Sequence, residues 1–338
     1  MVTGKGGSVG EILDVADPSW KCLLTGDKEF PTEVTAAEGA LVDGIPLICG
    51  GETEFKEFNR CWRWVRKTSK WKKLKHTLKD GRKNMGQSNM KAGILLMSGG
   101  ETVKTYYGWY GAYQRVYAVH SQEFVDLQGS GSHTGFEHSM VLHCNIQVSD
   151  NQMLVTGGRF SLKNVHGGLD WALFKKTFFM IIETGGDKLY ADQPFGIMDL
   201  KSARFQHTCG KITLSSGKEV AMVAGGSGVY NGQMADLKSV EILYLGNLGA
   251  GWKYARDLPS TTIPGSRILT DFNREVTYFL TGSQAAELMC PDAHDATKCH
   301  FELLPGIKAK GISRDSGVIM AVPESLVETM CSDASEQD

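Results

Sequence analysis

The chain has 338 residues, 41% of them hydrophobic, and a formal net charge of -2. This length exceeds one ordinary core, so we expect either two domains or one large repetitive domain. Interspersed charges of both signs argue against a nucleic-acid or membrane partner. No apolar run reaches the roughly 18 residues of a membrane-spanning helix, and any signal peptide is expected to be absent from this chain. We interpret the basic run 66–75 as a solvated strand edge in preference to a polyanion site.

Glycine is over-represented, at 40 of 338 residues, which without collagen periodicity indicates many turns. Four short apolar runs end in a glycine doublet, at Gly50–Gly51, Gly99–Gly100, Gly157–Gly158 and Gly225–Gly226. A fifth run, VTYFLTG, has Ser283 in place of the second glycine, and a sixth, GVIMAVPES, lacks the doublet. The first glycines that end these five runs are Gly50, Gly99, Gly157, Gly225 and Gly282, and successive ones lie 49, 58, 68 and 57 residues apart. This spacing indicates a repeat of about 50 residues with insertions.

Each repeat predicts several strands. The apolar run predicts a buried strand, and the doublet permits backbone angles that other residues resist. An alternating segment follows it, as in CWRWV (61–65), RVYAV (115–119) and KSVEILYL (238–245). A further strand precedes the doublets, and in that segment His138 aligns with His207.

These features resemble the kelch repeat family over nearly the whole chain. The resemblance rests on the runs with their doublets, the Arg204-x-x-His207 strand start and the later tryptophans. It implies a β-propeller built from four-stranded antiparallel blades. Residues 11–24 look like the last two strands of a blade, and residues 308–322 look like the first two.

We therefore predict an all-β fold, a six-bladed kelch-type β-propeller whose ring is closed by a composite blade from the N- and C-terminal strands. It forms a single domain, residues 1–330, followed by a short tail, 331–338. The blades fall near residues 8–30 plus 306–328, 34–80, 81–130, 131–200, 201–259 and 260–305.

The eight cysteines favour a secreted or extracellular protein. Three disulfides are plausible: between the paired strands carrying Cys49 and Cys61, across the loop from Cys290 to Cys299, and between Cys22 and Cys331, where a very long loop would be closed. The CGG and NRCW arrangement also resembles secreted invertebrate kelch proteins. The alternative is a cytoplasmic protein with eight buried free thiols.

Function has to be argued from the surface, because no catalytic sequence signature is present. The resemblance implies a binding mouth where the loops after the doublets meet the starts of the innermost strands. The positions that match the family's binding mouth directly after the doublets are Glu52, Glu101, Arg159 and Ser227. Those at or near the strand starts are Arg82, Glu137, Arg204 and Gln206. Carboxylates facing arginines suit a polar or zwitterionic ligand, and if desolvated they could serve as acid and base. The alternative is that Glu52 and Glu101 only bond neighbouring backbone amides.

Two loops after the doublets, residues 101–114 and 159–174, are long, and long loops in compact domains are usually functional. They are rich in Tyr and Trp, which is typical of a recognition surface. The alternative is a lid without a ligand. The ligand-binding candidates are Arg82, Tyr107, Trp109, Tyr110, Arg159, Phe160, Trp171, Gln206, Ser227 and Tyr230.

We expect a recognition propeller that binds a small polar molecule, a glycan or a protein at this mouth, with no metal or cofactor. The alternative is a cofactor-independent lyase, isomerase or cyclase. Its catalytic candidates are Glu52, Glu101, Glu137, Arg204, His138 and His207, although the two histidines fit a structural repeat position better.

Overall fold

The computed structural model describes residues 2–3, 10–13, 17, 21–24, 29–32, 34–53, 58–78, 81–90, 94–104, 109–112, 116–120, 124–126, 140–163, 169–185, 188–191, 195–196, 198–230, 232–261, 266–271, 276–280, 284–305, 318 and 320–331. This part of the chain is built from antiparallel sheets, so the all-β prediction is confirmed. Among the described residues, no helix is long and apolar enough to cross a bilayer.

The chain begins with a three-stranded N-terminal sheet and continues with sheets I and II. The N-terminal sheet contains β1 (Val2–Thr3), β2 (Gly10–Leu13) and β3 (Lys21–Leu24). Sheet I contains, in spatial order, β4 (Glu38–Val42), β5 (Ile45–Cys49), β6 (Arg60–Val65) and β7 (Lys70–Thr77). Sheet II contains β8 (Gly86–Met90), β9 (Ile94–Ser98), β12 (Val116–His120) and β13 (Phe124–Asp126), with a hairpin of β10 (Glu101–Lys104) and β11 (Trp109–Ala112) inserted after β9.

Sheet III repeats this order and adds a hairpin in the same place. Its strands are β15 (Cys144–Gln147), β16 (Gln152–Thr156), β19 (Thr177–Gly185) and β20 (Lys188–Ala191), with β21 (Phe195–Gly196) also on β19. A separate small sheet combines β14 (Met140–Val141) with the inserted hairpin of β17 (Arg159–Lys163) and β18 (Leu169–Leu173).

Sheets IV and V complete the series. Sheet IV contains β23 (Thr208–Thr213), β24 (Glu219–Ala224), β27 (Val240–Tyr244) and β28 (Lys253–Tyr254). Its small companion sheet joins β22 (Arg204–Phe205) to the hairpin of β25 (Ser227–Tyr230) and β26 (Gln233–Asp236). Sheet V contains β29 (Arg267–Asp271), β30 (Val276–Leu280), β31 (Ala285–Met289) and β32 (His300–Leu304).

The first strands of sheets I to V, which we call the inner strands, lie side by side. Contacts run from β4 to β8, from β8 to β15, from β15 to β23 and from β23 to β29. A side-chain contact also links the first and last strands of this row, because Arg267 on β29 forms an ion pair with Glu38 on β4. Apolar side chains fill the space between the sheets; Met222 and Ile242 of sheet IV, for example, share one cluster with Ile268 and Phe279 of sheet V.

The glycine doublets confirm the predicted backbone requirement. All eight glycines have φ between +54 and +103, a region that disfavours residues with a side chain. Space is a second constraint, because a Cβ at Gly157 would lie 2.6 Å from the Arg204 carbonyl oxygen, and one at Gly158 would lie 2.8 Å from the His143 Cβ. The doublets therefore permit both the turn and the close approach of neighbouring chain.

The segments that approach the doublets are residues 34–37, 82–85, 140–143 and 204–207, which we call the connectors because each leads into an inner strand. The Gly51, Gly100 and Gly158 amides donate hydrogen bonds to carbonyl oxygens of the following connector, with N···O distances of 2.7 to 3.0 Å. Successive connectors are also bonded to each other. The backbone amide of Asn84 donates to the Ala36 carbonyl, and the backbone amide of Leu142 donates to the Asn84 carbonyl. The backbone amide of Gln206 in turn donates to the Leu142 carbonyl. These four connector residues all have left-handed φ values of 51 to 57.

All eight cysteines are paired. The three predicted disulfides, Cys22–Cys331, Cys49–Cys61 and Cys290–Cys299, are confirmed. The fourth bond, Cys144–Cys209, was not predicted. It joins two inner strands, and its partners belong to different repeats, so nothing in either local sequence indicates the pairing. Four disulfides are consistent with an extracellular protein.

A short helix near the C-terminus was not predicted. α1 (Glu324–Cys331) follows Pro323, whose carbonyl accepts the Leu326 amide. Leu326 and Met330, four residues apart on one face, are buried in the same cluster as Ile12 of the N-terminal sheet. The helix therefore packs against the N-terminal sheet, to which Cys331 is also bonded.

We expect the disulfides to contribute unequally to stability. The Cys22–Cys331 bond closes a sequence separation of 309 residues, and Cys290–Cys299 closes one of 9. The chain-entropy relation then gives about 5 to 6 kcal/mol for the long loop and about 2 to 3 kcal/mol for the short one. Chemical denaturation of Cys22→Ala/Cys331→Ala and Cys290→Ala/Cys299→Ala should show the larger loss of unfolding free energy in the first variant. Equal losses would contradict this prediction.

Candidate functional site

A row of charged and polar side chains joins the connectors to the residues after the doublets. Lys83 Nζ lies 2.6 Å from Glu52 Oε2, and the Asn84 side-chain amide donates to Glu101 Oε1 at 2.6 Å. Backbone hydrogen bonds between Lys83 and Glu101, in both directions, hold this geometry. We call Glu52, Lys83, Asn84, Glu101 and Arg159 the rim.

Arg159 continues the rim onto sheet III. Its guanidinium carbon lies 4.6 Å from the centre of the Phe205 ring, a distance suited to a cation-π contact. Burial lowers the pKa of Arg159, and the nearby Glu101 carboxylate partly offsets this. Arg159 is therefore close enough to Glu101 for their charges to interact, so the rim runs across sheets I, II and III.

The predicted long loops are β-hairpins. Glu101 begins one and Arg159 begins the next, so the rim residues are the first residues of these insertions. Sheet IV carries a third hairpin at the same position, in which Ser227 Oγ donates to Asp236 Oδ1 at 2.9 Å. Because hairpins pair their own backbones, each insertion can project from the sheets without leaving most of its backbone groups unsatisfied.

The aromatic candidates are only partly described. Phe160 packs edge-on against Phe174, with 5.3 Å between ring centres. Trp109 and Tyr110 pair through their backbones with Lys104 and Val103. Trp171 pairs in the same way with Ser161, and Tyr230 with Gln233. Tyr107, Glu137 and His138 lie outside the described residues.

Two of the predicted mouth arginines are structural. Arg82 is fully buried and donates to the carbonyl of Gly99 at 2.9 Å. Arg204 is also fully buried; it donates to the carbonyls of Gly225 and Ser239 and forms an ion pair of 2.7 Å with Glu241. The prediction that these side chains face the mouth is therefore wrong. Each of these connector arginines instead reaches inward to backbone carbonyl oxygens at the doublet of the sheet that it leads into.

The histidine alignment is also corrected. His143, not His138, occupies the position equivalent to His207. A Cβ at Gly99 would lie 2.8 Å from His143 Cε1, and one at Gly157 would lie 2.8 Å from His207 Cε1. The His143 ring hydrogen-bonds Ser98 and the His207 ring hydrogen-bonds Thr156.

Burial keeps both rings neutral. It lowers the pKa of His143 to about 3 and that of His207 well below its usual value. The structural role expected for His207 is therefore supported by its contacts and its burial.

Sequence reasoning missed Glu38 and Arg267, which begin the inner strands β4 and β29. Arg267 Nη2 lies 2.9 Å from Glu38 Oε2, and the Glu38 side chain is only 9% exposed. Burial raises the pKa of the Glu38 carboxyl to about 7, although Arg267 acts to lower it. This is the ionisation behaviour of a group able to exchange a proton near neutral pH.

A recess of about 980 Å³ lies elsewhere, at the opposite ends of the strands in sheets III, IV and V. Its lining includes Gln152, the first residue of β16, and Lys218, Asn247 and His294, which lie between strands; none of these residues belongs to a connector. None of the predicted site residues that the structure describes lines this recess. Among the described residues, no group of three or more metal-ligating side chains comes together.

Repeated sheets with adjoining inner strands define a β-propeller-like protein. The chain is similar to a solved structure titled "Structure of YjhT", with a TM-score of 0.63, 14% sequence identity and coverage of 89% of this chain and 93% of the other. At this identity the similarity concerns the fold alone. No protein-family model matches the chain, and no curated protein matches it.

We expect Arg204 to be required for stability. Removing it with Arg204→Ala leaves the fully buried Glu241 carboxylate without its cation, which typically costs about 3 to 5 kcal/mol. Chemical denaturation should detect this loss. The double variant Arg204→Met/Glu241→Leu removes both charges and should recover part of the loss, because the Gly225 carbonyl and the Lys201 and Ser202 amides still lose their side-chain partners. Wild-type stability in Arg204→Ala would contradict the structural assignment.

Opposite pH dependences are expected from His143 and Glu38. The pKa of His143 is lower in the folded state than in the unfolded state, so its contribution to stability is present above pH 6.5 and is lost as the pH falls toward 3. The pKa of Glu38 is raised, so its contribution increases as the pH falls from 7 to 4.5.

Urea unfolding between pH 6.5 and 4.5 tests both assignments. His143→Asn should reduce the loss of stability on acidification by about 1.4 kcal/mol per pH unit, and Glu38→Gln should increase it by a similar amount. Profiles that match the wild type would show that these groups do not titrate as described.

Proposed function

We propose that the protein is a kelch-repeat β-propeller that binds a small polar molecule at the rim. The observation that carries this proposal is the row of side chains in which anionic Glu52 and Glu101 alternate with cationic Lys83 and Arg159. A ligand with both an acidic and a basic group could pair its acidic group with the rim cations and its basic group with the rim carboxylates. These ion pairs would replace the internal contacts with contacts of similar strength.

The propeller we propose has six blades. Sheets I to V supply five, and the N-terminal sheet together with the C-terminal chain supplies the sixth. Two observations support this composite blade. The Cys22–Cys331 bond joins the two ends of the chain, and Val318 and Met320 are buried against Gly39 of sheet I. Closure in this way would leave no inner strand at a free edge.

The inserted hairpins support ligand selectivity at the rim. They rise from consecutive sheets II, III and IV, beside Glu101, Arg159 and Ser227. A ligand bound at the rim would therefore be enclosed on one side by variable insertions, while the sheets hold the charged groups fixed. We also propose an extracellular location, which the four disulfides support.

A second candidate function is proton-transfer catalysis on the bound molecule without a cofactor. It is favoured by one observation, the buried Glu38 carboxyl whose pKa is raised to about 7 beside Arg267. In such a reaction Glu38 would take up or deliver a proton at Oε1 or Oε2. The Arg267 guanidinium would stabilise negative charge that develops on the substrate.

Calorimetric titration with a panel of free amino acids and amino sugars tests the proposed function. We expect Glu101→Gln and Arg159→Gln to weaken binding of the tightest compound by about 10- to 100-fold, because hydrogen bonds to charged groups are worth about 1.5 to 3 kcal/mol. Matched controls are Lys211→Gln and Glu219→Gln, which break a 2.7 Å surface ion pair away from the rim.

Wild-type affinity in both rim variants would overturn the rim assignment. NMR of the recovered compound separates the two candidate functions. An unchanged compound supports recognition. Conversion that Glu38→Gln abolishes without changing the dissociation constant supports catalysis.

A further inference from the structure

Positive charge is concentrated in one short segment of sheet I. Residues 60–75 contain eight Lys and Arg residues, and residues 58–78 contain no Asp or Glu. The whole chain has 36 basic and 38 acidic residues, so the remainder carries 28 basic and 38 acidic residues, a formal charge of -10. The charge distribution is therefore strongly asymmetric, although the net charge is close to zero.

The structure places this segment in a single hairpin. Strands β6 and β7 are joined by a turn containing Arg66 and Lys67, and β7 is the outermost strand of sheet I. The cationic side chains of the turn and of β7 are exposed: Arg66, Lys67, Lys70, Lys72, Lys73 and Lys75. We call these six residues the basic hairpin.

The pairing register brings like charges together. Arg63 on β6 lies directly opposite Lys72 on β7, and like charges in this arrangement destabilise a sheet. Two cationic residues therefore lie directly opposite each other in this hairpin. A bound polyanion would lower the repulsion between them.

Protection of a sheet edge does not account for so many cations. Lysine on an edge strand does prevent unwanted pairing, but the outermost strands of the other sheets have far fewer. β20 and β28 have one lysine each, and β13 and β32 have none. The basic hairpin has four lysines on β7 alone and two further cations in its turn.

We propose that the basic hairpin binds a sulfated polysaccharide. An extended strand rises about 3.3 Å per residue, so Lys70 to Lys75 offer cations over roughly 17 Å of the edge strand. Lys70 and Lys72 lie on one face of the strand and Lys73 and Lys75 on the other, so a linear polymer with regularly spaced anions that follows this edge can reach both pairs.

The aromatic residues beside the basic hairpin distinguish this ligand from a nucleic acid. Trp62 and Trp64 are buried and Trp71 is half-buried, packed edge-on against Trp64. Among the side chains that the structure describes in this hairpin, no aromatic ring is fully exposed for a base to stack on. The disulfides also favour an oxidising compartment, where sulfated polysaccharides occur.

Heparin affinity chromatography, with salt elution of the full-length protein, tests the proposal. We expect Lys72→Gln/Lys73→Gln/Lys75→Gln to elute at lower salt than the wild type, and the slope of log K against log salt to fall by about three, one for each cation removed. The matched control is Lys175→Gln/Lys176→Gln/Lys238→Gln, which removes three exposed lysines outside the basic hairpin. It should elute with the wild type.

Three results would overturn the proposal. The first is failure of the wild type to bind heparin at physiological salt, and the second is an equal loss in both triple variants, which would indicate a net-charge effect. The third is binding of duplex DNA, or of vesicles containing phosphatidylserine, as tightly as heparin at the same salt. Rim variants such as Glu101→Gln should leave heparin binding unchanged, so this test is independent of the rim.

Discussion

The fold depends on the close approach of each connector to the glycine doublet of the preceding sheet. The left-handed glycines turn the chain, and their missing side chains leave room for backbone such as the Arg204 carbonyl, 2.6 Å from the position of a Cβ on Gly157. The amides of Gly51, Gly100 and Gly158 then bond the following connector. Neighbouring sheets are therefore joined by hydrogen bonds as well as by apolar packing.

This contact also explains which polar residues are structural. Ending a strand at a doublet leaves carbonyl oxygens without a strand partner, and buried backbone groups must be paired. Arg82 and Arg204 satisfy the carbonyls of Gly99 and Gly225. Glu241 then compensates the charge of Arg204. Residues that resemble a charged binding site in the sequence therefore complete the interior.

Two other sets of charged residues are separate from these buried arginines, and in the first of them, the rim, Glu101 is buried while Glu52, Lys83 and Arg159 are half-buried. The rim lies where the doublets meet the connectors and carries both signs of charge, which suits a small molecule with matched groups. The basic hairpin lies at the outermost edge of sheet I and carries one sign, which suits a polymer. A propeller with both features would bind a small ligand while attached to a polyanionic matrix.

Some features could be predicted from the sequence because they depend on local geometry. Short apolar runs predict the buried strands, and residues that can adopt positive φ predict the left-handed glycines. Cysteines on neighbouring or terminal segments predict three of the disulfides. Side-chain direction could not be predicted in the same way. Whether Arg204 faces solvent or Glu241, and whether Glu38 meets Arg267 more than 200 residues away, depends on how whole sheets pack. The sequence determined the repeating unit, and the tertiary structure decided which charges are buried, because burial depends on neighbours that are distant along the chain.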